Sequence, residues 1–482
     1  MMMMMTQSRP RYLLEASLKP ADALLLPPPA SLHQGRFLVL SLGDDACEGE
    51  GERPCAAVDV VNPESLETEA SFPVPGAGWG DGVYMEACPV EGAAEGSPVG
   101  YFLVSDAAMD RMFVWDTAKL LAGDADFEVA TLPTGERPVH SYGVPHAGEF
   151  WTHPDGAGTF DVVKLEQWDD LHAPAIRAHV EAPGHGKLLW DDDLWPFGYV
   201  TNVAEPVVLE VDLETKEVVR RIDLVNNATG GPLCGGTHGI AYSRINGHVY
   251  ATCSAVSDGD HAHGGHADPA DGDSHELEPA GLVELDPTGD DLVLVQKHTE
   301  CPGGQVYEDA AEDWVVCGDT YGDQIVFLKP GEPGLNSSPE FAVKGSPGHC
   351  ALAEVDEDQE ACPGLPAAKP TFHVKDDGTT NVFFANTAPA DASAGVGWIN
   401  TAALGAQDSL NHVPGGGHAY KYRPVKAGGG YVAASTDSPA HGVMLLDGET
   451  AEPLGLVETN ANVRRIYYVP PSPTGAYCGM GM

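Results

Sequence analysis

Basic residues are scarce in this chain. Of 482 residues, 25 are Lys or Arg and 72 are Asp or Glu, which gives a formal net charge of −47. A surface so acidic repels phosphate backbones and anionic headgroups, which excludes nucleic acid and a charged bilayer as partners. Apolar runs are short as well. No stretch reaches the 18 or so residues a spanning helix needs, so no membrane span is expected. The segment Met1–Leu26 carries Arg9, Arg11 and Lys19 but lacks an uninterrupted apolar run with a small-residue cleavage site, so it does not read as a signal peptide.

Several catalytic signatures are absent. There is no CxxC pair, so a cysteine zinc knuckle is excluded, and no CxxCH, so covalent haem has no support. No GxSxG occurs, which leaves a serine-hydrolase elbow without a sequence basis. The glycine-rich Gly235-Gly-Thr-His-Gly239 has neither a P-loop lysine nor a following helical pattern. Long helical stripes are also missing; only Asp116–Ala122 reads as a helical turn or two.

What the chain does contain is punctuation. With 57 Gly and 39 Pro, about a fifth of it favours turns. Between the turns lie short β-branched and aromatic runs such as Phe37-Leu-Val-Leu40, Gly100-Tyr-Phe-Leu-Val104, Met112-Phe-Val-Trp115, His248-Val-Tyr-Ala251 and Asn381-Val-Phe-Phe384. These patterns predict an all-β fold. A hairpin recurs in which a strand ends in Asp before a tight turn: Ala57-Val-Asp59-Val-Val-Asn62, Phe113-Val-Trp-Asp116-Thr, Leu209-Glu-Val-Asp212-Leu, Leu282-Val-Glu-Leu-Asp286 and Met444-Leu-Leu-Asp447-Gly. Asp suits this place because its carboxylate accepts hydrogen bonds from the turn backbone. Repetition at this scale is the signature of propeller blades, each burying its faces only against its neighbours.

The run Phe197-Gly-Tyr199-Val200-Thr201-Asn202 through Val219 resembles the repeat of YVTN-type β-propellers, with weaker echoes from about residue 36 to 470. The resemblance implies a single propeller over 36–470. It is preceded by an extension (1–35), interrupted by a His/Asp-rich insertion (258–278) and followed by a tail (471–482). Blade segments at 36–75, 79–136, 139–182, 184–228, 234–300, 303–346, 347–412 and 416–469 give about eight four-stranded blades, or seven if two merge. Val463–Val469 is the expected closing strand, which joins the ring and removes its open sheet edges.

Histidines mark the blade starts. Aligned by their first strands, five blades give Pro145-His146, Gly184-His185, Thr237-His238, Gly348-His349 and Gly417-His418. His441 and His140 are further candidates. The innermost strand of each blade faces the central channel, so repeat-related imidazoles form a ring able to converge on one ion. Imidazole suits zinc first, and copper or another transition metal as alternatives. A second cluster, Asp258–Glu276, holds His261, His263, His266 and His275 among five Asp and no large apolar residue. It reads as a metal-capturing loop.

Blade-start histidines together with a His/Asp tract are similar to what zinc chaperones of the AztD kind carry, which implies a metal-accepting partner protein and a monomer outside the cytoplasm. Ten cysteines point the same way. Most fall in local pairs (47/55, 234/253, 301/317, 350/362), the pattern of disulfides in an oxidising compartment. Two other functions fit the same residues. One is a metal-dependent lyase or oxidase, with Trp151, Trp190 and Trp195 flooring a substrate pocket. The other is a non-catalytic interaction propeller that binds no metal.

Overall fold

The computed structural model describes residues 35–42, 56–74, 76–86, 100–164, 176–182, 184–257, 276–287, 293–301, 305–308, 314–318, 324–332, 338–344, 370–386, 395–404, 411–414, 425–426, 430–436, 442–459 and 462–469. Within them the chain is a succession of antiparallel strands. β1 (Arg36–Leu42), β2 (Ala56–Asn62) and β3 (Glu67–Pro73) come first. The second sheet is β4 (Trp79–Glu86), β5 (Gly100–Asp106), β6 (Arg111–Asp116) and β7 (Glu128–Pro133), and the third is β8 (Pro138–Val144), β9 (Glu149–Pro154), β10 (Thr159–Lys164) and β11 (Ile176–Glu181). The fourth is β12 (Leu188–Trp190), β13 (Phe197–Thr201), β14 (Val207–Asp212) and β15 (Glu217–Asp223). In the fifth, β16 (Thr237–Ser243) and β17 (His248–Cys253) are separated from β20 (Gly281–Asp286) and β21 (Val293–His298) by a small ladder of β18 (Val256–Ser257) and β19 (Glu276–Glu278). The sixth is β22 (Gln305–Glu308), β23 (Val315–Gly318), β24 (Gln324–Lys329) and β25 (Ser338–Lys344). The seventh is β26 (Thr371–Val374), β27 (Thr380–Asn386), β28 (Gly395–Asn400) and β29 (Asn411–Pro414). The eighth is β30 (Val425–Lys426), β31 (Tyr431–Thr436), β32 (Gly442–Asp447) and β33 (Pro453–Glu458).

The last strand, β34 (Asn462–Val469), does not extend the eighth sheet. It pairs antiparallel with β1, Phe37 opposite Tyr468 and Val39 opposite Ile466, and completes the first sheet in the order β3-β2-β1-β34. The result is eight four-stranded blades in a β-propeller closed by its C-terminal strand. Closure ties the two ends of the chain into one blade, with β34 as its inner strand.

The core is divided among the seams. Eight apolar clusters each combine residues of two successive blades, from Leu38 with Trp115 at the first seam to Phe37 with Val443 at the last. Middle strands therefore bury both faces. In β14, Leu209 and Val211 pack toward the third blade while Val208 packs toward the fifth. Outer strands such as β3 and β15 leave most side chains exposed. The largest aromatic cluster is at the first seam, where Trp115 stacks on Phe102 at 5.8 Å and meets Trp79 and Phe127 edge-on. Truncating a ring so deeply buried costs about 3–5 kcal/mol.

The predicted hairpin turns form as their side chains require. Asp212 Oδ1 accepts from Glu214 N at 2.8 Å and Thr215 N at 2.9 Å, and Asp447 Oδ1 from Glu449 N at 2.8 Å and Thr450 N at 2.9 Å. Asp116 caps the one short helix, α1 (Thr117–Leu121), in the same way. The first blade differs from expectation. There Asn62, not Asp59, accepts from the turn amides of Glu64 and Ser65, because Asp59 lies three residues earlier, inside the ladder opposite Val39 and Ser71. Two of the expected disulfides are formed, Cys234–Cys253 and Cys301–Cys317, each joining the approach to an inner strand with the neighbouring strand. The pairs 47/55 and 350/362 lie outside the described residues.

Candidate metal centre

Inner strands β34, β4 and β8 follow one another around the axis, as do β12, β16 and β22. Several carry an extra residue. The ladder register shifts between Trp79 and Gly82 in β4, between Pro138 and His140 in β8, and between Thr237 and Ile240 in β16. Such bulges re-aim side chains out of the regular alternation. Here they re-aim Asp81, His140 and His238. A Ser or Thr on the adjoining strand secures each bulge: Ser105 Oγ donates to Asp81 O at 2.9 Å, Thr152 Oγ1 to His140 O at 3.2 Å, and Gly239 N donates to Thr252 Oγ1 at 2.6 Å. The fourth blade reaches the same place differently. His185 sits in the loop before β12, where His153 lies between Ala182 O at 3.1 Å and Gly186 O at 3.3 Å.

Three imidazoles meet there. His140 Nε2 lies 3.3 Å from His185 Nε2, and His185 Nε2 lies 3.0 Å from His238 Nε2. One donor atom from each histidine falls within 4.8 Å of the other two, and all three residues are half-buried. This is the one such group among the described residues.

The hydrogen bonds fix which nitrogen faces inward. His140 Nδ1 bonds Asp81 Oδ2 at 2.9 Å, and His185 Nδ1 bonds Asp155 Oδ2 at 2.8 Å. An ionised carboxylate can only accept, so each Nδ1 carries the proton. A neutral ring then presents a bare lone pair at Nε2. Burial, the strongest influence, pushes the His140 imidazole down to about 4 against the upward pull of Asp81, which keeps this ring neutral near pH 7. Two lone pairs facing each other at 3.3 Å repel unless a proton or a metal cation lies between them. A tetrahedral zinc with Zn–N distances of about 2.0–2.1 Å holds its donors roughly 3.3 Å apart. The donor set and its spacing therefore fit zinc, and the carboxylate–imidazole pairs are the usual outer shell of such a site.

His185 and His238 were expected to converge, and the structure brings their Nε2 atoms to 3.0 Å. His140, a further candidate, supplies the third nitrogen. His146 does not. The sequence alignment put it before a first strand, but the inner strand of its blade is β8, and Pro145–Ala147 is the turn that leaves it. His146 Nε2 instead bonds Asp192 Oδ1 at 2.7 Å, with its ring 4.9 Å from Trp195. The expectation of one shared register position is also corrected: His140 is the third residue of β8, His238 the second of β16, and His185 lies ahead of β12. His349, His418, His441, His261, His263, His266 and His275 lie outside the described residues. Trp151 is fully buried in the seam between third and fourth blades, and Trp190 and Trp195 pack partly buried against the same cluster. Asp191 is tied to Arg244 at 2.8 Å.

A second polar group went unanticipated. Glu284 of β20 is fully buried and accepts from His248 Nδ1 at 2.7 Å, His298 Nε2 at 2.9 Å, Gln296 Nε2 at 2.8 Å, and Tyr250 and Asn246 at 3.1 Å each. Burial drives this carboxyl up, but the bonds from His298, His248 and Gln296 outweigh it and hold it down at about 2.

No family model and no curated protein matches the chain. Solved structures do. AztD from Citrobacter koseri is similar over 91% of this chain and 98% of its own, with a TM-score of 0.53 and 13% identity. This chain has an AztD-like propeller fold. The apo form of AztD from the same organism covers 99% of its own length with a TM-score of 0.52 and 13% identity. Beyond AztD, the dihydro-heme d1 dehydrogenase NirN, in complex with DHE, matches 81% of this chain and 69% of its own at a TM-score of 0.50 and 12% identity. At such identities the AztD-like likeness concerns the fold alone.

Proposed function

We propose that this protein binds one transition-metal ion, zinc first, through His140, His185 and His238 in the channel of the propeller, and passes it to a metal-accepting protein. The observation that carries the reading is the pair of Nε2 atoms, each on a ring whose Nδ1 is committed to a carboxylate, turned toward one another at 3.3 Å. Neutral imidazole is a good ligand for zinc, copper and nickel. The AztD-like fold and the zinc-chaperone resemblance of the sequence support zinc. The two disulfides support a site outside the cytoplasm, where such bonds persist. No helix among the described residues is long and apolar enough to cross a membrane.

A second reading rests on the ligand count. Among the described residues three nitrogens converge, and three protein ligands with an open fourth position is the arrangement of catalytic zinc. A lyase or oxidase would use that position to polarise substrate or activate water. An interaction propeller finds less support, because among the described residues the exposed large apolar side chains are distributed over several blades, such as Val129 in β7, Val219 in β15, Val293 in β21 and Leu454 in β33.

The test is metal analysis of purified protein followed by zinc titration of the wild type and of His140→Ala/His185→Ala/His238→Ala. One tight equivalent in the wild type and none in the triple variant supports the site. Equal stoichiometry in both overturns it. Full occupancy of the fourth position by a protein ligand favours carriage, and an exchangeable water there favours catalysis.

A further inference from the structure

The seam that closes the ring also reaches the metal site. Arg465 lies on β34, the closing strand, where the register against β1 shifts between Leu40 and Ser41. Its Nε donates to Asp81 Oδ1 at 3.0 Å, while the other oxygen of Asp81 accepts from His140 at 2.9 Å. The carboxylate of Asp81 thus spans a cation on one blade and an imidazole on another. A second tie runs beside it: Tyr467 of the same strand accepts from Gly82 N at 2.7 Å and lies edge-on to Phe102 at 4.9 Å.

From this geometry we infer that Arg465 is a positioning residue of the metal centre: it holds Asp81 so that His140 presents Nε2 to the ion, and so couples ring closure to metal binding. The inference rests on the proposed site. Its physical content is orientation. A carboxylate bonded at one oxygen can turn about its Cβ–Cγ bond, whereas one bonded at both oxygens cannot. Arg465 fixes the plane of Asp81, and Asp81 fixes the tautomer and tilt of His140. Outer-shell partners of this kind change metal affinity by about 10–100-fold when removed. Coupling is reciprocal: an ion that needs His140 in place favours the paired state of β34 as much as that pairing favours the ion.

The experiment uses the full chain and zinc itself, titrated against a competing chelator. Four proteins are compared: wild type, Arg465→Gln, Asp81→Asn and the double variant. Arg465→Gln should weaken zinc about tenfold, and adding it to Asp81→Asn should change nothing more, since Arg465 acts through Asp81. Arg465→Lys, which keeps a cation, should recover part of the loss. Hydrogen exchange gives a readout independent of affinity. Zinc should slow exchange of the β34 amides in the wild type and lose that effect in Arg465→Gln. Unchanged zinc affinity in Arg465→Gln, or additive losses in the double variant, overturns the inference while leaving the triad intact. A wild type that binds no zinc overturns the site itself.

Discussion

Two groups in this molecule combine imidazoles with carboxylates, and they do opposite things. In the channel each carboxylate takes one nitrogen of one ring, and the remaining nitrogens point at each other. In the fifth blade a single carboxylate, Glu284, takes a nitrogen from each of two rings and nothing is left converging. The first pattern stores unused lone pairs at one point. The second uses its donors up on a buried charge. Histidine beside an acid is therefore no sign of a metal site by itself. What matters is whether the acid sits behind the ring or at the meeting point.

The contrast can be broken in four places. The largest effect should follow His185→Ala, whose Nε2 is the middle of the three. It should remove the tight zinc equivalent in a titration, whereas His298→Ala should leave zinc stoichiometry unchanged. Loss of zinc from His298→Ala alone would erase the distinction. Next is Glu284→Ala, which leaves two buried imidazoles without their acceptor. Breaking a buried ionic group from one side costs about 3–5 kcal/mol, measurable by denaturant unfolding of the metal-free protein. Third is Asp155→Asn, which keeps the shape but loosens the hold on His185 Nδ1. Zinc should weaken by about 10–100-fold with the unfolding midpoint nearly unmoved.

A fourth effect is in pH. The Glu284 carboxyl is held at about 2 in the folded chain and is released to an ordinary value near 4.5 on unfolding. Its folded value is depressed, so its stabilisation is present above about pH 4.5 and drains away as pH falls toward 2. Unfolding free energy of the wild type should drop across that window more steeply than that of Glu284→Gln. Parallel curves for the two proteins would mean the carboxylate contributes nothing by its charge.

Much of this was legible in the sequence, and the failures have physical causes. Turn chemistry is local, so Asp212 and Asp447 announced their hairpins, Asp116 marked the cap of α1, and the strand Val463–Val469 announced the closure. His185 and His238 were legible because glycine or threonine before a strand marks the entry to a blade. His146 misled because Pro145 also precedes a strand. Local pattern does not tell a first strand from a second, and the misalignment moved the third converging imidazole from His140 to the far end of β8. Asp81 and Asp155 carried no signal, since two acids among 72 gain meaning only when folding sets them behind a ring. Glu284, His248 and His298 lie on three different strands of one sheet, and only strand pairing brings them together.

The most direct measurement is anomalous diffraction at the zinc edge from crystals grown with one equivalent of zinc. The account predicts a single strong peak in the channel, with His140, His185 and His238 Nε2 each about 2.0–2.1 Å away. A peak elsewhere, or an ion bound through Nδ1 with Asp81 and Asp155 turned aside, would contradict it.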